Sequence, residues 1–218
     1  MTNRTSTWRV PIALVALGTV PVIAGSLRLV DLSTGSAVMP PNPRFSASPL
    51  PVVIHIVCAT VFVMLGAFQF SARFRRGHRA WHRRAGRIVM VAGLGVALSA
   101  LWLNQFFPRA ATSRELLYPL RVVFGVALVV TIALGFLAAR RRNFADHRAW
   151  MIRSYAIGIV AGTQVFTLGV GGAIFGHREV TTALLLAAAW AINLTVAEWA
   201  IRKRPWRRTP ASVQMAMP

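Results

Sequence analysis

The sequence predicts an all-α fold, a polytopic membrane bundle of about six transmembrane helices carrying a parallel two-helix internal repeat. Three observations lead there. Hydrophobic residues make up 56% of 218 positions and charged residues 14%, with a mean hydropathy of +0.56, too apolar for an ordinary soluble domain. The apolar residues fall into runs of about twenty, the length needed to cross a bilayer. Basic residues collect between alternate runs, as the positive-inside bias requires.

The runs are read in order as spans at 11–30, 51–70, 88–107, 121–139, 151–176 and 181–201. The first follows Arg4 and Arg9 and contains Pro21, a kink point. A signal peptide also starts with a basic stretch and an apolar core, and small residues stand at Ala24, Gly25 and Ser26. About twenty apolar residues exceed the 7–15 of a signal core, so a retained helix is the preferred reading. The proline-bearing stretch 31–50, with Pro40, Pro41, Pro43 and Pro49, reads as a loop, and residues 202–218 as a basic, disordered tail. Cys58 is the only cysteine, which excludes an intrachain disulfide and a thiolate metal site.

The formal charge of +20 sets 25 basic residues against the five acids Asp31, Glu115, Asp146, Glu179 and Glu198. In a soluble protein that excess would suggest nucleic acid. Here the positive-inside bias accounts for it, and the expected partner is membrane lipid, with no nucleic acid. With both termini inside, nineteen of the 25 basic residues lie on the cytoplasmic side, leaving Arg28, Arg44, Arg109, Arg114, Arg121 and Arg178 outside. The expected location is therefore a bacterial cytoplasmic membrane, multi-pass, both ends cytoplasmic.

A stretch used twice supplies the candidate site. Residues 78–93, HRAWHRRAGRIVMVAG, and 147–162, HRAWMIRSYAIGIVAG, agree without a gap at nine of sixteen places. Each is a basic head bearing His and Trp that runs into an apolar segment. Leu65-Gly66 and Leu134-Gly135 share the same offset, which makes spans two–three and four–five a candidate parallel repeat. Such a duplication would set the heads at one membrane depth. His78, His82 and His147, with Arg84 and Arg153, then form a candidate cofactor-binding group. Imidazoles from separate helices can ligate the iron of a b-type haem, and arginines can neutralise its propionates. The bland reading is that these histidines face headgroups and water, since His82 lies six residues, ~9 Å of helix, before the apolar segment at Ile88.

Polar residues within the spans give a second set. His55 is an intramembrane ionisable residue, a functional suspect because hydrocarbon does not solvate it. Asn104, Gln105 and Arg121 fall at a similar outer depth, so either a polar outer pocket or a neutral imidazole bonded to a neighbouring helix is expected. Glu198 should pair with Arg153 or Arg87, with a proton relay as the sharper alternative. Gln164 and Asn193 sit mid-span as candidate inter-helix hydrogen bonders, Gly158 and Gly162 form a small-residue packing face, and Trp81 and Trp150 suit an interfacial belt. No nucleotide-binding loop, zinc motif or hydrolase triad is present.

His55, the GAFQF at 66–70, the HRRAGR at 82–87 and the HRAWMIRSYA at 147–156 resemble an uncharacterised bacterial membrane-protein family, domain of unknown function 2306. The likeness runs from Pro51 to Phe166 and implies a membrane fold and location but no reaction. It matches His82-Arg83, whereas the internal repeat matches His78, so both histidines stay open. Two functions remain: a redox or quinone-linked membrane protein with a cytoplasmic-side His/Arg site, or a transporter or binding protein for an anionic or lipid-like molecule.

The charge count makes the first testable statement. Reporter fusions at either end and at residue 143 should all report a cytoplasmic location. A periplasmic signal at 143 would reverse the orientation.

Overall fold

A computed structural model describes residues 8–36, 38–40, 45, 48–71, 75, 77–107, 116–176 and 178–203. The stretch 204–218, expected to be a disordered tail, lies outside the described residues, as do Arg4, Arg44, Arg73, Arg76, Arg109, Arg114, Glu115 and His177. Among the described residues there are seven helices and no strand: α1 (Arg9–Thr34), α2 (Pro49–Gln69), α3 (Arg79–Phe106), α4 (Leu117–Arg140), α5 (Phe144–Gly158), α6 (Val160–Phe175) and α7 (Glu179–Lys203). Five are long and apolar enough to cross a membrane, and α5 with α6, bent by 42°, makes a sixth as a broken span.

Two boundaries differ from the sequence reading. The third apolar run opens at Ile88, yet α3 begins at Arg79, and His82 N–H donates to the His78 carbonyl at 3.0 Å. Arginine is a good helix former, so the basic head simply extends the span as helix. The fifth span was expected as one helix over 151–176. It starts at Phe144, where the Asn143 side chain caps the helix by accepting the Asp146 N–H, and it breaks at Ile159.

The helices close into a ring. Neighbours run α1 to α2, α2 to α3, α3 to α4, α4 to α5, α5 to α7, α7 to α6 and α6 back to α1, with α2 and α5 also touching across the interior. Small residues permit that closeness. The Phe62 ring fills space left by Gly93 and Gly158, since a methyl at Gly93 would stand 2.7 Å from both Phe62 Cε2 and Ile132 Cδ1. On α6, Gly162 meets the backbone of α1, where an added Cβ would collide with the Leu17 carbonyl. Thus Gly158 and Gly162 are packing positions, each serving a different neighbour. Large apolar side chains such as Val91, Phe106 and Ile174 point outward with 65–70% of their surface exposed, as lipid-facing positions should.

Away from the arginine-rich end, Asp31 ties down the chain that follows α1. Its carboxylate accepts the N–H groups of Val38 at 2.9 Å and Met39 at 3.1 Å, and Arg28 adds an ion pair at 3.5 Å.

Gly158→Ala should therefore cost about 1–3 kcal/mol, because its methyl must displace the Phe62 ring. Gly169 has open space around its Cα, and Gly169→Ala should be neutral or stabilise by up to about 1 kcal/mol. Equilibrium unfolding in mixed micelles measures both, and equal effects would contradict the packing account.

Candidate functional site

The ring encloses a cavity of about 330 Å³ lined from every helix, including Gly18 and Pro21 of α1, His55 of α2, Arg121 of α4, Gln164 of α6 and Trp190 of α7. Its walls are mostly apolar. Among the described residues, no carboxylate lines it. The volume falls within the range of small-molecule sites.

The broken span borders this cavity, with residues 157–161 contributing to its wall. Ending one helix and starting another inside a membrane frees backbone groups that lipid cannot satisfy, so such breaks survive only where protein or a cavity serves them. Asn193 of α7 supplies part of that service. Its Nδ2 donates to the Ala156 carbonyl at 3.0 Å, and its Oδ1 accepts the Thr163 hydroxyl at 2.7 Å. One amide therefore bridges the end of α5 to the start of α6, and the mid-span hydrogen-bonding role expected of Asn193 is realised at the break. Gln164 lines the cavity instead.

His55 answers to both expectations. Its Nδ1 lies 3.0 Å from Ser99 Oγ on α3. That hydroxyl has one proton and lies 2.5 Å from the Gly95 carbonyl, so it donates there and accepts from His55 Nδ1–H. Nε2 is left as the ring nitrogen with a lone pair. Trp190 stacks on Phe124 at 4.2 Å, and its buried Nε1–H has no hydrogen-bond partner. The cavity thus combines an imidazole acceptor with an indole donor and the Gln164 amide, which is both. Asn104 and Gln105 are not part of it. The Asn104 amide donates to the Tyr118 carbonyl at 3.2 Å and Gln105 accepts the Tyr118 hydroxyl at 2.6 Å, so the pair fastens α3 to α4.

At the arginine-rich end the two repeated heads take different environments. His78 is the exposed residue just before α3, whereas His82, one turn on, is half-buried with Nδ1 enclosed. His82 and His147 stand close enough for the charge of each to act on the other. His147 Nδ1–H donates to the Gly135 carbonyl at 2.8 Å, which fixes its tautomer and leaves Nε2 unprotonated. Arg84 is exposed on α3, away from this pair's enclosed atoms. Arg153 is committed to Glu198 through two bonds, Nε to Oε1 at 2.6 Å and Nη2 to Oε2 at 3.1 Å, and its guanidinium covers the Trp150 ring at 4.8 Å. Glu198 therefore selects Arg153 rather than Arg87. Among the described residues no group of three or more His, Cys, Asp or Glu side chains is placed to hold a metal ion.

Sequence reasoning missed Trp190 and Gln69 as site residues. Gln69 stands in the GAFQF stretch, but only the packed structure shows both atoms of its amide to be buried without partners.

The Arg153–Glu198 pair carries a quantitative expectation. Both side chains are about one-third exposed, at 27% and 33%, so solvent screening limits the cost of Glu198→Gln to about 1–2 kcal/mol. A double-mutant cycle with Arg153→Gln should give a coupling of at least about 0.5 kcal/mol. Strict additivity would show the pair to be energetically idle.

No curated protein and no solved structure matches this chain. A family model does match residues 52–201, from the start of α2 to the end of α7, leaving α1 outside it. The packed polar groups described above, from His55 to Glu198, all fall within that stretch, and the chain belongs to the family described as predicted membrane protein (DUF2306).

Proposed function

We propose that this integral membrane protein binds a lipid-soluble amphiphile of the quinone class inside the helix ring. The carrying observation is the cavity at the broken span, apolar along its length and furnished with a few polar groups of opposite hydrogen-bonding character. A ligand that reaches it has to pass through or beside lipid, so it needs an apolar body. Its head must accept from Trp190 Nε1–H and donate to, or exchange a proton with, His55 Nε2. A quinone carbonyl does the first and the hydroxyl of its reduced form does the second. This keeps the quinone-linked reading and moves it from the arginine-rich end to the His55 cavity.

The absence of a carboxylate from the wall supports the choice of head, since an amine-bearing amphiphile would find no counter-charge there. The broken span supports binding over a purely structural bundle. A continuous helix would satisfy its own backbone without recruiting Asn193.

Titration of the protein in nanodiscs with decylubiquinone, following tryptophan fluorescence, tests this. Saturable quenching is expected, its major component absent from Trp190→Phe. His55→Phe and Gln164→Leu should each weaken the apparent Kd by about 2- to 12-fold, the value of one hydrogen bond of about 0.5–1.5 kcal/mol. Filling the cavity by Ala100→Trp should remove saturable binding. Unchanged binding in that variant would place the quinone outside the ring and overturn the proposal.

A further inference from the structure

The buried side-chain atoms that lack hydrogen-bond partners among the described residues gather in two places. One is the Trp190 indole at the cavity. The others, Gln69 Nε2, Gln69 Oε1 and His82 Nδ1, lie together at the opposite, arginine-rich end of the ring. Gln69 is the last residue of α2 and His82 belongs to the first turn of α3. They share one face of the α2–α3 packing, because Gly86, one turn beyond His82, sits beside the Gln69 amide, with its Cβ position 3.8 Å from Oε1. A buried polar atom left unpaired costs about 1–3 kcal/mol. Three within one contact mark a place where a partner is missing.

The surroundings say what charge that partner carries. Arg75 and His147 both stand close enough to act electrostatically on His82. Arg79, Arg83 and Arg84 project from the same first turns of α3. The two described acids at this end are already engaged, Asp146 by the Asn143 amide at 2.6 Å and Glu198 by Arg153. His147 holds its Nδ1–H on Gly135. A cation would meet guanidinium groups and no available carboxylate. An anion would meet amide, imidazole and guanidinium donors, with the charge of Arg75 to balance it.

We propose that the cleft between the end of α2 and the start of α3 binds an oxyanion of the phosphate class, held by Gln69 and His82 and balanced by Arg75. The Gln69 Nε2 amide and the His82 ring N–H donate to its oxygens. Water, with no net charge, would leave the excess positive charge of this end uncompensated. Two sources carry the same chemistry, a free phosphate ion from the aqueous side and the phosphodiester of an anionic lipid headgroup.

Two measurements on the purified full-length chain separate them. In the first, thermal unfolding in detergent is followed as inorganic phosphate replaces chloride at constant ionic strength. In the second, native mass spectrometry records retained phosphatidylglycerol. If the source is free phosphate, the melting temperature rises saturably, and the rise is lost in Gln69→Leu and in His82→Phe but kept in Gln164→Leu at the cavity. If the source is lipid, the phosphatidylglycerol adduct of the unmodified protein falls several-fold in the same two variants and persists in Gln164→Leu. Gln69→Leu replaces two unpaired atoms by apolar ones of similar size, so it should fold at least as well without phosphate. Should it fail to fold, Gln69→Glu places a negative charge in the cleft and must abolish whichever response the unmodified protein shows. Responses equal in all variants, or absent from the unmodified protein in both measurements, overturn the proposal. So does a Soret band that His82→Phe removes, which would assign the pair His82 and His147 to haem iron instead.

Discussion

Phe62 stands where four helices of the ring meet. Its ring stacks on Tyr155 of α5 at 5.6 Å, lies against Gly93 of α3 and Gly158 of α5, and is 1% exposed. Tyr155 in turn donates its hydroxyl to the Val63 carbonyl of α2 at 2.8 Å and receives the edge of Phe70 at 4.9 Å. Ile132 of α4 closes the same spot against Gly93. In lipid no hydrophobic force drives helices together, so association rests on such close packing and on polar ties between helices. This contact fixes α2 against α5 across the ring, and both polar regions depend on it. The cavity opens toward one end from Phe62 and the Gln69–His82 cleft lies toward the other.

The break at Ile159 follows from the same constraint. Tyr155 and Gly158 anchor α5 to α2, while Gly162 draws α6 against the backbone of α1. A straight helix would have to reach both partners along one axis. The 42° bend lets each half meet its own neighbour, and Asn193 compensates the exposed backbone at the junction. The cavity is the space left beside that bend. α1 forms part of its wall through Gly18, Pro21, Val22 and Gly25 although it lies outside the family's matched residues.

Charge is distributed with the same economy. Glu198 meets Arg153 in a two-bond pair and Asp146 meets Asn143, which leaves the arginine-rich end positive and the cavity without a carboxylate. The unpaired buried donors then fall at Trp190 and at Gln69 with His82, one place apolar and one cationic in its surroundings. A membrane protein with two such places is suited to an apolar ligand at one and an anionic ligand at the other.

The sequence by itself determined the membrane class, the spans and the pairing partner type of Glu198. Those depend on run length, on the cost of charge in hydrocarbon and on the spacing of arginines, all one-dimensional quantities. It also singled out His55, His82, His147 and Asn193, because polar residues in or beside apolar runs are conspicuous. The break at Ile159 was not legible, since VAGTQVFTLGVGGAIF continues the apolar run and carries no proline. Only the rival demands of Phe62 and Leu17 on α5 and α6 create it. Trp190 and Gln69 were likewise invisible, for an indole or an amide is unremarkable until its neighbours are known to offer it no partner. Which histidine turns inward was settled by where α3 begins: starting at Arg79 leaves His78 outside the helix and carries His82 onto the face that meets Gln69 and Gly86. Burial and hydrogen-bond partnership are properties of pairs of residues far apart in the chain, and only the tertiary structure decides them.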